Sequence, residues 1–549
     1  MTLKTCRVLM VQPHFTAPSF WNFWATCDAI GVRSPVSPLN LITVAAMLPS
    51  SWDVRLIDRN TEELTSADLD QADLVMTGGM MAQKTDTLEI IKICRARGIP
   101  VVVGGPDVTS SPYLYDDADF QVQGEAEDIM AAFVNAWTAG ERRGVFKAEK
   151  FQVDITRSPI PRFDLLTLRH YTGISIQFSR GCPFTCEFCD IIELYGRVPR
   201  TKTNEQMLAE LDALYRLGFR GSVFFVDDNF IGNKKAIKHF LPALVTWQKE
   251  HGYPFTFGTE ASINLADDDQ LLGLMRQANF IWVFIGIESP DADTLTATQK
   301  KQNTRRSLVT SVNKIYGAGM VVYAGFIVGF DSEKKSMANE MIDCIEAMSI
   351  SVCMMGLLTA LPGTQLTRRL AREGRLHRGH DVLFETTADL GVSGLNFVTL
   401  RPRRDVLVDY TTILEKIYSP DAYFGRVRRV GRLLNLSDRP TASVSGHQLL
   451  MIAHLIWRLS KEKDIRGHLW STAFDCALHN LPALEAVLFM AALYLHLGPF
   501  ARYVRACAEE QIASIESGEM REFTAASGTK IVDAEARFFG DRSRSHQQA

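Results

Sequence analysis

Twice along this chain, short apolar runs alternate with helical stretches, and no other feature limits its fold as strongly. Near-continuous apolar strands separated by helices belong to parallel sheets covered on both faces. The first series occupies residues 1–140. Its strands are expected at 7–11, 54–58, 74–79, 100–106 and 120–122, and its helices at 38–48 and 85–97. Ligands of such sheets bind beyond the carboxyl ends of the strands. Thr77-Gly78-Gly79, Gly104-Gly105-Pro106 and Gly124-Glu125-Ala126-Glu127 all fall there, and glycine lets backbone come close to a large ligand.

Residues 141–170 read as a linker. They are charged at Glu141-Arg142-Arg143 and disfavour helix at Pro159 and Pro161. The second series, 171–385, carries six expected strands at 174–178, 222–226, 254–258, 282–286, 321–328 and 351–358. Strand–helix repetition of this length implies a barrel or partial barrel, with chemistry at the carboxyl ends of the strands. The polar residues obey that rule. The loop holding Cys182, Cys186 and Cys189 follows the first strand. Asp227, Asp228 and Asn229 end the second, Glu260 the third, and Glu288 follows Gly286 at the end of the fourth. Gly329 ends the fifth.

Helical periodicity dominates 386–540, with helices expected at 406–417, 447–459, 483–495 and 500–516. Residues 401–440 carry nine Arg/Lys against five Asp/Glu. This region is expected to be a helical domain over the barrel mouth. Apolar stripes such as Leu449, Ile452, Leu455 and Ile456 read as packing. The tail, 541–549, is polar and reads as disordered. The architecture expected is therefore α/β, with a Rossmann-like domain, a partial (βα)6 barrel and a mostly helical C-terminal domain.

Composition excludes some classes. A net charge of −4 gives no general pull toward nucleic acid. The first residues show no signal-peptide core. The longest clean apolar run, 486–495, is too short to span a bilayer and reads as a core helix. Seven cysteines outside the trio are scattered singly, as expected for buried thiols in a reducing cytosol. A cytoplasmic protein without a transmembrane segment is expected.

The trio itself is Cys182-Pro-Phe-Thr-Cys186-Glu-Phe-Cys189. A four-iron cluster normally takes four thiolates. The neighbouring cysteines are Cys94 and Cys344, so three irons would be held and one left open, as catalytic metals keep an open position. A zinc knuckle needs four ligands, and no histidine lies between His170 and His239. A disulfide would leave one thiol over. The spacing argues for redox catalysis.

The segment Ser179-Arg180-Gly181-Cys182-Pro183 through Phe188-Cys189 resembles the signature of the radical S-adenosylmethionine (SAM) enzymes. The resemblance implies a [4Fe–4S] cluster on Cys182, Cys186 and Cys189. Its open iron would chelate the amino and carboxylate groups of SAM, and one electron would release a 5′-deoxyadenosyl radical. It also implies SAM contacts at Phe188, Gly286, Glu288, Gly325 and Gly329. The strand-end carboxylates Asp228 and Glu260 could accept from the ammonium and the ribose, as in other nucleotide sites. Each has a plainer alternative: Asp227 or Asp228 could cap the next helix, and Glu260 could pair with a basic residue. Arg197, Arg200 and Lys202 read either as a solvated basic face or as a clamp over cluster, SAM or flavodoxin.

The domain before this motif is similar to the cobalamin-binding domain of the B12-dependent radical SAM branch. That implies corrinoid contacts at Thr77, Gly104, Gly105, Gly124 and Glu125. An ordinary doubly wound domain, or one that has lost cobalamin, is the alternative. The D-x-H-x-x-G motif of other B12 proteins is missing, so a histidine below the cobalt is not expected. Residues 77–81 or the loop after Gln12 would face the metal instead. Tyr418-Ser-Pro-Asp-Ala-Tyr-Phe424 resembles the C-terminal extension of the subgroup that includes the hopanoid C-2 methylases.

Together these resemblances imply a C-methyltransferase acting at an unactivated carbon through a 5′-deoxyadenosyl radical and methylcobalamin. Its substrate would be small and hydrophobic or lipid-like, its electron donor a flavodoxin or ferredoxin. A radical cyclase or carbon–carbon bond-forming enzyme, a cobalamin- or redox-sensing iron–sulfur protein, and a zinc-stabilised structural protein are the rivals.

Overall fold

A computed structural model describes residues 5–377, 394–437, 439 and 446–518 of the 549. The expected boundary at 385/386, the tail 541–549 and the side chains of Leu449 and Ile452 lie outside the described residues.

The first apolar series folds as expected, with two strands more, one of them diverted to the other sheet. Its strands are β1 (Arg7–Gln12), β2 (Ser34–Val36), β3 (Asp53–Asp58), β4 (Leu74–Gly78), β5 (Val101–Gly104), β6 (Phe120–Gln123) and β7 (Gly144–Lys147). All but β2 form one six-stranded parallel sheet in the order β3-β1-β4-β5-β6-β7. Val8 to Val11 are all buried, which is why β1 reads as a continuous apolar run rather than an alternating one. Strand order reverses beside β1, which places a crevice above its carboxyl end, next to β4. The expected linker is partly wrong. Its residues 144–147 pair with β6 as the edge strand, alternately exposed and half-buried, a pattern too short to stand out among charges.

The second series gives β8 (Tyr171–Ile176), β9 (Ser179–Arg180), β10 (Arg200–Thr201), β11 (Gly221–Phe225), β12 (Phe255–Glu260), β13 (Phe280–Glu288), β14 (Val321–Val328) and β15 (Cys353–Leu357). The six long strands match the six expected. They form a parallel half-barrel in the order β15-β14-β13-β12-β11-β8-β2. The seventh member, β2, comes from the N-terminal domain and pairs Ser34 with Tyr171 and Val36 with Gly173. The two domains therefore share a sheet. Val283 and Ile285 are fully buried against the outer helices, while Trp282 and Phe284 point the other way. Trp282 lies across β12 because Gly258 has no side chain; a Cβ there would sit 2.0 Å from the indole. Its ring joins Phe224 at 5.1 Å and Tyr323 at 5.4 Å.

The C-terminal region is helical: Arg403–Ile417, Pro420–Leu433, Gly446–Lys461, Arg466–His479 and Leu484–Glu516. The two last expected helices are one, running straight through Pro499. Packing on both sides outweighs the hydrogen bond that proline removes. On one side His496 Nε2 lies 2.7 Å from Ser19 O and Phe20 meets Phe500 edge-on. On the other, Tyr423 Oη donates to Met490 O at 2.7 Å. This helix is long and apolar enough to cross a membrane by length and composition alone, yet 61% of its most apolar window is buried inside the protein. Tyr410 and Tyr418 donate to the carbonyls of Met355 and Cys353, so the helices close the β15 side of the half-barrel.

The meeting of β4 and β5 is the tightest backbone contact at the crevice. A Cβ on Gly78 would lie 2.0 Å from Gly104 O, and the φ of Gly78 is +154°. Gly78→Ala is therefore expected to destabilise the N-terminal sheet by about 1–3 kcal/mol. Gly98→Ala meets nothing within 4 Å at its helix end and is expected to cost about 1 kcal/mol. Thermal melts of the two variants, compared with the parent, test the order.

Candidate active site

The cysteine loop hangs between β9 and β10, which pair antiparallel through Arg180 with Arg200 and Ser179 with Thr201. Gly181 turns the chain into the loop at φ +97°, and a Cβ there would stand 2.9 Å from Gly196 O. Cys182 N donates to Gly196 O and Cys189 N to Cys186 O. All three thiols are unpaired. Two amides reach them: Asn229 Nδ2 lies 3.8 Å from Cys182 Sγ, and Gln302 Nε2 lies 3.7 Å from Cys186 Sγ. Burial pushes the Cys182 and Cys189 thiols up, a penalty that binding positive iron as thiolates would reverse. Among the described residues no three His, Cys, Asp or Glu side chains converge on a single ion. A four-iron cube takes one thiolate per iron, so it needs the cysteines spread apart. The three thiols and the two amide N–H groups aimed at their sulfurs fit such a cluster.

Around the loop stand the strand-end residues. Glu288 ends β13 at φ +66°, a strained value for glutamate, beside a register shift between Gly286 and Glu288. Its Oε1 accepts from Lys300 Nζ at 2.7 Å. A Cβ on Gly286 would press on the tips of both side chains, which would have to shift to admit it. Burial pulls the Lys300 ammonium down, but Glu288 and the Cys186 thiol hold it up, so it stays charged. Its Nζ lies 6.0 Å from the centre of the Phe188 ring, which also packs on Phe330. Lys300 and Gln302 carried no sequence signal: they sit past the strand end in a polar run that reads as surface.

Asp227, Asp228 and Glu260 gather at the ends of β11 and β12. Asp227 accepts from Phe178 N and Ser179 Oγ, and Asp228 from Gly181 N at 3.0 Å. Neither caps the following helix; Asn233 does that, accepting from Ala236 N. The Glu260 carboxyl has no hydrogen bond or ion pair among the described residues. Burial pushes the three carboxyls up, to about 6, 7 and 8 respectively, and the neighbouring aspartates add to the shift of Glu260. Three crowded carboxyls with one unpartnered form a site deficient in positive charge. A ligand carrying both sulfonium and ammonium fits it.

Gly325 and Gly329 have other reasons to be glycine than the expected contact with SAM. The Phe284 ring lies 3.0 Å from where a Gly325 Cβ would be. Gly329 has φ +103°, its N–H donates to the buried Glu333, and a Cβ would strike Leu395.

In the N-terminal crevice, Gly78, Gly104 and Gly105 pack backbone on backbone and leave a ledge without side chains. The buried Gln12 Oε1 at the end of β1 has no partner. A side-chain-free ledge and an orphan acceptor at the switch point fit a large planar ligand such as a corrinoid. Two expected contacts are otherwise engaged. Thr77 Oγ1 donates to Val11 O at 2.8 Å. Gly124 packs on Ala148 at φ +91°.

Glu125 is engaged most fully of all. Its two carboxylate oxygens receive Arg180 Nη1 at 3.0 Å and Arg200 Nη1 at 2.8 Å, and Arg180 Nη2 also reaches Glu127 at 2.7 Å. All four side chains are largely buried. Burial alone would raise the Glu127 carboxyl, but Arg180 pulls it below its ordinary range. The Gly-Glu-Ala-Glu turn thus clasps both strands that frame the cysteine loop. The expected solvated basic face is therefore confined to Arg197, since Lys202 is buried against Glu210.

Removing Arg180 leaves the buried Glu127 without its arginine and Glu125 with Arg200 alone. Arg180→Gln is expected to destabilise the protein by about 3–5 kcal/mol, and denaturant unfolding of the anaerobic protein measures it.

Family comparisons agree with this geometry. Residues 26–134 match the B12 binding domain, 176–345 the Radical SAM superfamily, and 364–510 a domain of unknown function (DUF4070). An uncharacterized methyltransferase of Synechocystis is 42% identical over 521 residues, 94% of this chain and 96% of its own. The hopanoid C-2 methylase of Rhodopseudomonas palustris is 34% identical over 509 residues, 90% of this chain and 94% of its own. Among solved structures, the cobalamin-dependent SAM radical enzyme OxsB, with aqua-cobalamin and SAM bound, superposes with a TM-score of 0.58. It covers 99% of this chain and 84% of that one at 14% identity, a likeness of fold alone. The chain belongs to the cobalamin-binding radical SAM family and is a radical SAM enzyme whose cofactors are a [4Fe–4S] cluster, SAM and cobalamin.

Proposed function

We propose that this enzyme transfers a methyl group to an unactivated carbon of a rigid hydrophobic small molecule. When bound, the cluster and SAM supply a hydrogen-abstracting radical, and the corrinoid carries the methyl group.

The chain's own residues do the rest. Cys182, Cys186 and Cys189 hold the cluster while Asn229 and Gln302 point N–H groups at two of the sulfurs, a contact that tunes cluster potential. Glu288 and the acidic trio orient the cationic ligand. Gly78, Gly104 and Gly105 seat the corrinoid. A low-potential flavodoxin or ferredoxin is the class of donor that suits the first electron.

The observation that carries the substrate reading is the aromatic wall of the half-barrel. Phe224, Trp282 and Tyr323 stack across β11, β13 and β14. Trp21, from the loop after β1, adds its ring 5.1 Å from Phe284. Flat aromatic faces offer a rigid apolar ligand a large contact area. A polycyclic lipid is consistent with that wall and with the name of the Rhodopseudomonas relative.

Incubating the reconstituted enzyme with methyl-deuterated SAM, a low-potential reductant and candidate polycyclic lipids is expected to yield 5′-deoxyadenosine and a product carrying labelled methyl. Formation of 5′-deoxyadenosine with a product free of label would replace the methyltransferase by the cyclase reading.

Glu260 gives a second test. Its carboxyl, pushed up to about 8, is largely protonated at neutral pH, and a cationic ligand favours its ionised form. SAM binding should therefore release a proton near pH 7 and tighten as pH rises through about 8. Equilibrium binding of SAM to the cluster-bearing protein, without turnover, is expected to show that slope, and Glu260→Gln to flatten it.

A further inference from the structure

Large apolar side chains exposed to solvent concentrate in one region. Leu433, Trp457, Trp470, Phe474, Leu478 and Leu481 all lie within residues 433–481. Three of them, Trp470, Phe474 and Leu478, follow at i, i+4 and i+8 on the helix Arg466–His479 and form one stripe. They are 55%, 66% and 65% exposed, whereas Leu469, Thr472 and Cys476 on the opposite side are buried. The helix thus has two apolar faces, and the core uses only one. Trp457 extends the outer patch from the preceding helix, with Lys461 Nζ 3.3 Å above its ring.

Cations frame the stripe. Residues 428–480 carry eight Arg/Lys against four Asp/Glu, in a chain whose net charge is −4. Arg428, Lys461, Lys463 and Arg466 make no ion pair among the described residues. Beside the stripe, Arg428, Arg429 and Arg432 line a groove with Gly425, Ser471 and Asp475. Arg432 is paired with Asp475 and Arg429 with Glu346, while Arg428 donates to the Ser471 hydroxyl at 3.1 Å. Ser471 is the residue after Trp470, so this cationic groove opens at the edge of the apolar face.

We infer that this face of the C-terminal domain docks on the surface of a membrane containing anionic lipid. Trp, Phe and Leu on one helix face with Lys and Arg around them is the composition that lies flat in the headgroup region. The apolar side chains would sit at the acyl boundary and the free cations against lipid phosphates, each cation contributing roughly fivefold in affinity. A second copy of the chain would also cover apolar side chains, but protein interfaces are depleted in lysine, and two unpaired lysines stand here. The inference rests on this surface and not on the methyltransferase reading, since binding is measured without turnover.

The test is co-sedimentation of the full-length holoenzyme with phosphatidylcholine vesicles, with and without phosphatidylglycerol. The protein is expected to sediment with the phosphatidylglycerol vesicles, and less so as salt is raised. The double variant Trp470→Ser/Phe474→Ser, altered only at exposed positions, should bind about tenfold more weakly or worse, with iron and corrinoid content unchanged. Lys461→Glu with Lys463→Glu should remove the preference for phosphatidylglycerol. A holoenzyme that stays in solution with every vesicle overturns the inference. So does a dimer, seen by sedimentation equilibrium, that the double variant converts to monomer, for then the face belongs to a second copy.

Discussion

The arrangement of the active site turns on one buried cluster of charges. Arg180 and Arg200 flank the cysteine loop in sequence, and both are held by Glu125 of the N-terminal domain, with Glu127 adding a second carboxylate to Arg180. Buried pairs of this kind add little net stability over apolar packing, but each partner is very costly to leave alone. Their effect is therefore on register. Two arginines that must both meet one carboxylate permit a single placement of the loop against the turn after β6. That turn belongs to the sheet whose ledge suits the corrinoid, so the clasp sets the distance between the two cofactor sites.

Strand sharing reinforces it. β2 leaves the N-terminal chain to pair with β8 of the half-barrel, and Ser37 just after it accepts twice from Ser175, at Oγ from the backbone N–H and at the carbonyl from the hydroxyl. Tyr171 at the start of β8 donates in turn to the buried Asp58 at the end of β3. The helix Leu484–Glu516 then braces the loop after β1 through His496 and Phe500. Trp21 lies on that loop, so the N-terminal domain adds a ring to the aromatic wall of the half-barrel.

Much of this was legible in the residues, and the exceptions share a cause. The parallel sheets declared themselves because strands buried on both faces are continuously apolar, as at Val101-Val102-Val103. The cluster loop declared itself by cysteine spacing. What stayed hidden was whatever depends on contacts between residues far apart in the chain. Glu125 reads as a ligand-facing residue at a strand end; only Arg180, 55 positions later, shows that it faces the barrel. Gly258 looks like an ordinary strand glycine until the Trp282 ring is placed over it. Pro499 reads as a helix break because local propensity cannot register the packing on its two sides. β7 was lost in a charged stretch because an edge strand of four residues carries almost no periodicity.

The same charges also give the lumen a direction. Near the cysteines, Lys300 neutralises Glu288, so that end is electrostatically satisfied before any ligand arrives. At the ends of β11 and β12, the carboxyls crowd one another, and the Glu260 carboxyl has no partner among the described residues. A ligand with a carboxylate at one end and positive charge toward the middle gains most when its acid end lies by Lys300 and its cationic portion by Glu260. The opposite orientation would set carboxylate against carboxylate in a low-dielectric site, where such a repulsion is only weakly screened. On the proposed reading, this imbalance of charge orients SAM, and the aromatic wall beyond is left to an apolar substrate.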